Sequence, residues 1–193
     1  MADLLTRKRE IRAAVISQRD SLDPEIRRDL DRRIIDRFTG LVTYRFASLL
    51  LLYCPAGSEI DVLPLEEIAL ADGKSVAYPR CGPNRTMTFH KVGSHTELEA
   101  GSYGLMEPPV SAPAVDISEY GGAAVIIPAL CWDSFYYRIG YGGGYYDRWL
   151  PGFTGTKVGF CYSSFMRASL PVGRYDCVCD IIVTEKGVKT RDG

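Results

Sequence analysis

The residues best suited to chemistry lie in one run, Arg138-Ile139-Gly140-Tyr141-Gly142-Gly143-Gly144-Tyr145-Tyr146-Asp147-Arg148. Glycines at 140, 142, 143 and 144 remove the Cβ atoms that would hold a ligand off the backbone. They also allow the left-handed φ values that aim successive N–H groups at one anion. A helix starting at Tyr145 adds the positive end of its dipole. Arg138 supplies a permanent cation suited to bidentate phosphate contact, and Asp147 a hard oxygen donor for a divalent metal. Cation, amides and carboxylate together suit a magnesium nucleotide. The same glycines would also serve a tight turn or a close backbone crossing, and Asp147-Arg148 an ordinary charge pair in a helix's first turn.

Two other phosphate motifs do not fit. Tyr145 stands where the third glycine of G-x-G-x-x-G is needed, and no following acidic residue at βαβ spacing supports that motif. Gly73-Lys74-Ser75 imitates the end of a Walker A loop, but Ile68 occupies its first glycine position. His90 and His95 are the only histidines, and neither stands beside a nucleophile and an acid. The six cysteines (Cys54, Cys81, Cys131, Cys161, Cys177, Cys179) read as reduced thiols. Cys177 and Cys179 lack the second pair or the histidines of a zinc site.

The elements that must position these groups follow from periodicity. Leu4, Leu5, Ile11, Val15 and Ile16 at helical spacing predict an amphipathic helix over 3–20. Asp23 as N-cap and Pro24 at the first helical position predict a second, with Ile26, Leu30, Ile34, Ile35 and Phe38 on one stripe. Strands are expected at 46–53, 75–78, 86–92, 123–127, 157–161 and 178–183, with helices over 61–72 and from 145 to 150. The stretch 101–113 reads as loop. That alternation suggests parallel strands with helical crossovers in one domain spanning 1–193.

Composition narrows the function classes. With 23 basic against 24 acidic residues among 193, there is no global field to drive nonspecific binding to nucleic acid or anionic membrane. The apolar runs 46–53 and 123–130 fall far short of the roughly 18 residues of a membrane span. The start, MADLLTRKREIR, has no secretory-signal pattern, so a cytoplasmic location is expected.

The run from Arg138 to Asp147 resembles the Arg-x-Gly-x-Gly-x-Gly-Tyr-Tyr-Asp signature of the 5-formyltetrahydrofolate cyclo-ligases. Further segments fall in that family's order: Lys8-x-x-x-Arg12, Ser58-Glu59-Ile60-Asp61, Arg85-Thr86-Met87-Thr88-Phe89, Gly104-Leu105-Met106-Glu107-Pro108 and Val125-Ile126-Ile127-Pro128-Ala129. The resemblance implies an α/β fold, a three-layer Rossmann-like sandwich with a mostly parallel sheet and an N-terminal helical pair. It implies ATP and Mg²⁺ as cofactors and 5-formyltetrahydrofolate as substrate, with polyglutamylated forms left open. Neither nucleic acid nor membrane is an expected partner, and a monomer is expected.

By the same resemblance the nucleotide falls to Lys8, Arg9, Arg12, Arg138, Ile139, Gly140, Tyr141, Gly142, Gly143, Gly144, Tyr145 and Tyr146. The folate falls to Cys54, Glu59, Met87, Tyr141, Gly144 and Tyr145, the metal to Asp147 and Asp180, and catalysis to Arg138 and Tyr145. The implied reaction phosphorylates the formyl oxygen with release of ADP. N10 then attacks the activated carbon, and phosphate leaves to give 5,10-methenyltetrahydrofolate. The substrate supplies both nucleophiles, so the protein must chiefly align groups and neutralise charge. Two positions depart from the pattern: Tyr136 stands where the family has a turn glycine before the arginine, and Gly143 where some relatives carry lysine. The rival readings are an ATP-dependent ligase or kinase on another small substrate, and a noncatalytic folate or nucleotide binder.

Overall fold

The computed structural model describes residues 2–191. Its helices are α1 (Ala2–Asp20), α2 (Pro24–Thr39), α3 (Val42–Phe46), α4 (Leu63–Ala71) and α5 (Tyr145–Trp149). The first five strands are β1 (Leu49–Leu51), β2 (Ser75–Cys81), β3 (Met87–Lys91), β4 (Glu99–Ala100) and β5 (Met106–Glu107). The rest are β6 (Ala123–Ile127), β7 (Cys131–Asp133), β8 (Arg138–Ile139), β9 (Thr156–Phe160), β10 (Met166–Arg167), β11 (Ile181–Val183) and β12 (Val188–Thr190).

Seven strands form the main sheet in the order β12-β11-β9-β6-β1-β2-β3. The five from β11 to β2 are mutually parallel, and β12 and β3 close the edges antiparallel. This is the expected mostly parallel α/β sheet. β1 and β6 are buried throughout and read as continuous apolar runs, as strands covered on both faces do. β3 departs from the expected crossover. It returns from β2 through a short 3₁₀ turn at Pro83–Arg85, which leaves no chain for a helix between them.

Asp23 caps α2 as its sequence predicts, its carboxylate accepting from Glu25 N at 2.7 Å and Ile26 N at 3.2 Å. Ile34, Ile35 and Phe38 of the predicted stripe are buried, but Ile26 in the first turn is 56% exposed. The apolar run at 46–53 divides differently from the expectation. Phe46 ends α3 and is 78% exposed, and the strand starts only at Leu49. The expected strand over 178–183 likewise shrinks to Ile181–Val183.

The first helix is the larger surprise, because its inward stripe is cationic. Lys8, Arg12, Val15 and Arg19 follow the i, i+4, i+7, i+11 spacing of one face. Lys8, Val15 and Arg19 are buried, whereas Leu5 is 62% exposed. Each charged member of the stripe finds oxygen on another element. Lys8 pairs with Asp176, Arg12 Nε donates to Gly140 O at 2.7 Å, and Arg19 donates to Ser58 O and, at 2.9 Å, to Ala129 O.

Candidate active site

The parallel strands run β1→β2 toward one edge, and the chain then returns to place β6 on the other side of β1. That reversal leaves a crevice at the carboxyl ends of β1 and β6, where open α/β sheets place ligands. A cleft of about 1210 Å³ opens there. Its walls come from α1, the loops after β1, β2 and β6, the β8–α5 connection and the segment around 175–176.

The β8–α5 connection is the glycine run. β8 pairs with β7 in a small sheet that also holds β10, so Arg138 enters the loop from a fixed strand. Gly142 and Gly144 take φ of +101° and +73°, which a side chain rarely adopts. A Cβ on Gly142 would sit 3.4 Å from the Arg12 guanidinium, so a bare backbone there lets that cation lie against the loop. Arg138, buried, places Nη2 2.9 Å from Asp147 Oδ1 and lies 3.4 Å from Cys177 O through Nη1. Cys177 N in turn lies 3.3 Å from Asp147 Oδ1. One residue earlier, Asp176 accepts from Gly173 N at 2.7 Å and from Lys8. This wall of the cleft is therefore built from both ends of the chain.

The opposite wall centres on Glu59, buried after β1, with Oε2 accepting from Ala56 N at 2.9 Å. Burial pushes its carboxyl pKa up, opposed by the Ala56 amide and by the Arg19 guanidinium nearby. Arg19 holds the loop itself through Ser58 O, and Tyr53 does so through Ile60 O at 2.9 Å. Met87, Cys54, Tyr141, Tyr145 and Tyr146 also face the cleft. Burial raises the Cys54 thiol, and the Cys81 thiol to about 11, so neither is a thiolate at neutral pH. Neither histidine lines the cleft. His90 bonds Ala112 O at 2.8 Å, and His95 pairs with the buried Glu66.

Two expected site residues are not brought in. Arg9 is exposed on α1, one position off the inward stripe, and does not line the cleft. Asp180 also lies outside it. Its carboxylate accepts from Lys157 N at 2.8 Å, where β9 and β11 begin, the amino ends of strands whose carboxyl ends face the ligand side. Of the two acids before β11, Asp176, which the sequence reading did not single out, lines the cleft together with Asp147.

A family model described as the 5-formyltetrahydrofolate cyclo-ligase family matches residues 5–185. The chain belongs to the 5-formyltetrahydrofolate cyclo-ligase family. Among its curated relatives, the 5-formyltetrahydrofolate cyclo-ligase of Escherichia coli strain K12 is 25% identical over 177 residues, covering 89% of this chain and 96% of that one. The Mycolicibacterium smegmatis cyclo-ligase is 30% identical over 150 residues, 74% of each chain. The NMR structure of Aquifex aeolicus 5,10-methenyltetrahydrofolate synthetase superposes with a TM-score of 0.82 at 34% identity, over 96% of this chain and 94% of that one.

Within this cyclo-ligase fold, three residues that line or support the cleft escaped the sequence reading. Arg19 and Asp176 had no motif to mark them. Tyr53 lay inside an apolar strand and showed only as core. A signal for Arg19 existed, since it continues the Lys8–Arg12 stripe by helical spacing.

The donor set suits Mg²⁺ better than a metal held by protein alone. Among the described residues no three His, Cys, Asp or Glu side chains form a metal cluster. Asp147 and Asp176 are single hard-oxygen donors beside bare glycine amides, the pattern of a cation shared with phosphate oxygens.

Proposed function

We propose that the protein converts 5-formyltetrahydrofolate to 5,10-methenyltetrahydrofolate at the expense of Mg-ATP, acting as a monomer in the cytoplasm. When bound, Mg-ATP supplies the phosphoryl group that turns the formyl oxygen into a leaving group. Lys8, Arg12 and Arg138, with the amides of 140–145, hold the polyphosphate, and Asp147 and Asp176 hold the metal. Arg138 neutralises charge that grows as the phosphoryl group moves, while its ion pair with Asp147 fixes where the guanidinium stands. Glu59 accepts hydrogen bonds from the pterin's amino and lactam N–H groups. Met87 and Tyr145 flank the ring system and exclude water from the activated carbon. No Ser, Cys or His nucleophile is required.

The observation that carries this reading is the meeting, in one cleft of about 1210 Å³, of a cationic glycine loop on one wall and a buried carboxylate with aromatic neighbours on the other. The test is to mix the protein with 5-formyltetrahydrofolate and Mg-ATP and follow methenyl absorbance in the near ultraviolet. Absorbance that rises only with both ligands, and falls at least about 100-fold in rate for Arg138→Ala at saturating ATP, is the expected result. No signal from folded wild-type protein sinks the proposal.

A further inference from the structure

Among the described residues, the carboxylates that line the cleft are those of Glu59, Glu107, Asp147 and Asp176. Three already have parts in the proposed reaction: Asp147 pairs with Arg138, Asp176 with Lys8, and Glu59 stands on the pterin side. Glu107, on β5, has none, although it is only 3% exposed and burying a carboxylate is costly. The groups around it are donors. Cys81 N, at the end of β2, donates to Oε1 at 3.3 Å, and the Cys81 thiol hydrogen-bonds the same carboxylate. Arg80 Nη1 lies 4.0 Å from Oε2 and also donates to Pro108 O. Burial and the Glu107 charge push the Cys81 thiol up to about 11, so it serves as a donor and does not compete for protons. A Cβ on Gly101 would lie 2.5 Å from Glu107 Cδ, so bare backbone covers the carboxyl on that side.

Glu107 stands where the two walls of the cleft meet. Cys81 pairs in register with Met87 of β3, and the Tyr145 side chain hydrogen-bonds the Cys81 thiol. Met87 and Tyr145 are the proposed flanks of the folate ring system, and Tyr145 directly follows the last glycine of the 140–144 loop. The reacting atoms belong at this junction, because the formyl oxygen must meet phosphate held by the loop while the pterin meets Glu59.

N10 carries a proton when it attacks the activated carbon. Its lone pair forms the N10–C bond, and the electron pair of the C=N5 bond returns to N5. The attacking nitrogen is left as an N-aryl ammonium, a much stronger acid than a carboxylic acid. It must shed that proton before its lone pair can expel phosphate, and a cleft that keeps water from the carbon has to supply the acceptor itself. We infer, on the strength of the folate reading, that Glu107 is this acceptor, a catalytic base that takes the N10 proton as the ring closes. The C–O bond then breaks with its electron pair leaving on phosphate, and the N10 lone pair completes the C=N bond of the methenyl product. The proton passes from Glu107 to the departing phosphate, which restores the carboxylate.

The test is single-turnover kinetics of the full chain, with protein in excess over 5-formyltetrahydrofolate at saturating Mg-ATP, following ADP by rapid quench and the methenyl product by its near-ultraviolet absorbance. Glu107→Gln is nearly isosteric and keeps an oxygen to accept from Cys81 N, but it cannot take a proton. It should form ADP at the wild-type rate while methenyl formation slows about 100-fold, the loss typical of a general base. Glu107→Asp should bring methenyl formation back to within about tenfold of wild type. If Glu107 is only a clasp between β5 and β2, Glu107→Gln slows both steps together or neither, and either result overturns the inference. Should Glu107→Gln not fold, Glu107→Asp decides: slower methenyl formation at an unchanged ADP rate supports the base, and any other pattern overturns it. Folded wild type that forms no methenyl product overturns the folate reading itself, a result distinct from all of these.

Discussion

Glu59 shows how a residue proposed to bind substrate is set against stability. Its carboxylate is buried with the Ala56 amide as its hydrogen-bond donor and Arg19 nearby, and burial still outweighs both, raising its pKa. A carboxyl whose folded pKa exceeds the unfolded one favours the native state most below the unfolded pKa. That contribution is lost as pH rises through the folded value. Above its folded pKa the ionised Glu59 is therefore a cost to folding. Glu59→Gln should melt at the same temperature as wild type or higher at pH 8, while its KM for 5-formyltetrahydrofolate rises about tenfold or more, the loss expected for a charged hydrogen-bond partner. A variant that lost stability with an unchanged folate KM would mark Glu59 as structural instead.

Among the elements, the β7–β8 turn explains how the family's turn glycine is replaced. Tyr136 sits at φ +68°, the left-handed conformation that glycine would supply, and Asp133 secures the turn by accepting from Phe135 N and Tyr137 N, each at 2.9 Å. The ring is used as well, since its hydroxyl donates to Thr190 O at 2.7 Å. Tyr136→Gly should therefore be more stable than Tyr136→Ala by about 1 kcal/mol in urea denaturation, because alanine keeps the backbone strain without the ring. Alanine equal to or better than glycine would contradict the conformation. Local rules made some elements legible and left others hidden. The cap at Asp23-Pro24 and the glycine run before Tyr145 fixed α2 and α5, because those signals are contained in adjacent residues. Phe46 joined a strand-like run by hydrophobicity alone, yet the run divides, the helix ending at Phe46 and pairing with β2 and β6 beginning at Leu49. β7 and β8 are short strands whose pairing depends on distant contacts such as Trp132, which packs where a Cβ on Gly159 would lie. That Asp176 lines the cleft while Asp180 does not was equally out of reach. It depends on how the irregular segment before β11 turns, with Asp180 drawn to the Lys157 amide.

At the scale of the whole molecule, the sheet is bound to its helices by polar ties as well as by packing. Asp31 of α2 is buried beyond the end of β9, accepting from Tyr162 OH at 2.5 Å and from Asp61 N at 3.3 Å, with Asp61's own charge close by. Burial raises its pKa from 3.8 to about 6 in spite of those donors. The stabilisation from this group is full below pH 4 and lost by about pH 6. Relative to wild type, Asp31→Asn should thus gain roughly 2–3 kcal/mol between about pH 4 and pH 7, read from denaturation curves across that range. A difference that stays flat with pH would refute the shift. The cleft imposes a second long-range tie, because the wall proposed to hold the nucleotide joins α1, the 140–144 loop and the segment 173–177. Arg12 meets Gly140, Lys8 meets Asp176, and Cys177 meets both Arg138 and Asp147. A ligand that binds all three must stabilise the chain's two ends together. At about 100 times its Kd, Mg-ATP should add about 2.7 kcal/mol, a rise of roughly 5–10 °C in Tm for a chain of this size. Amide hydrogen exchange should slow in α1 and in 173–177 along with the glycine loop. Lys8→Ala should reduce protection of α1 while the loop remains protected, since the loop's own amides still meet phosphate. Protection confined to 140–144 in wild type would show that the first helix takes no part in holding the nucleotide.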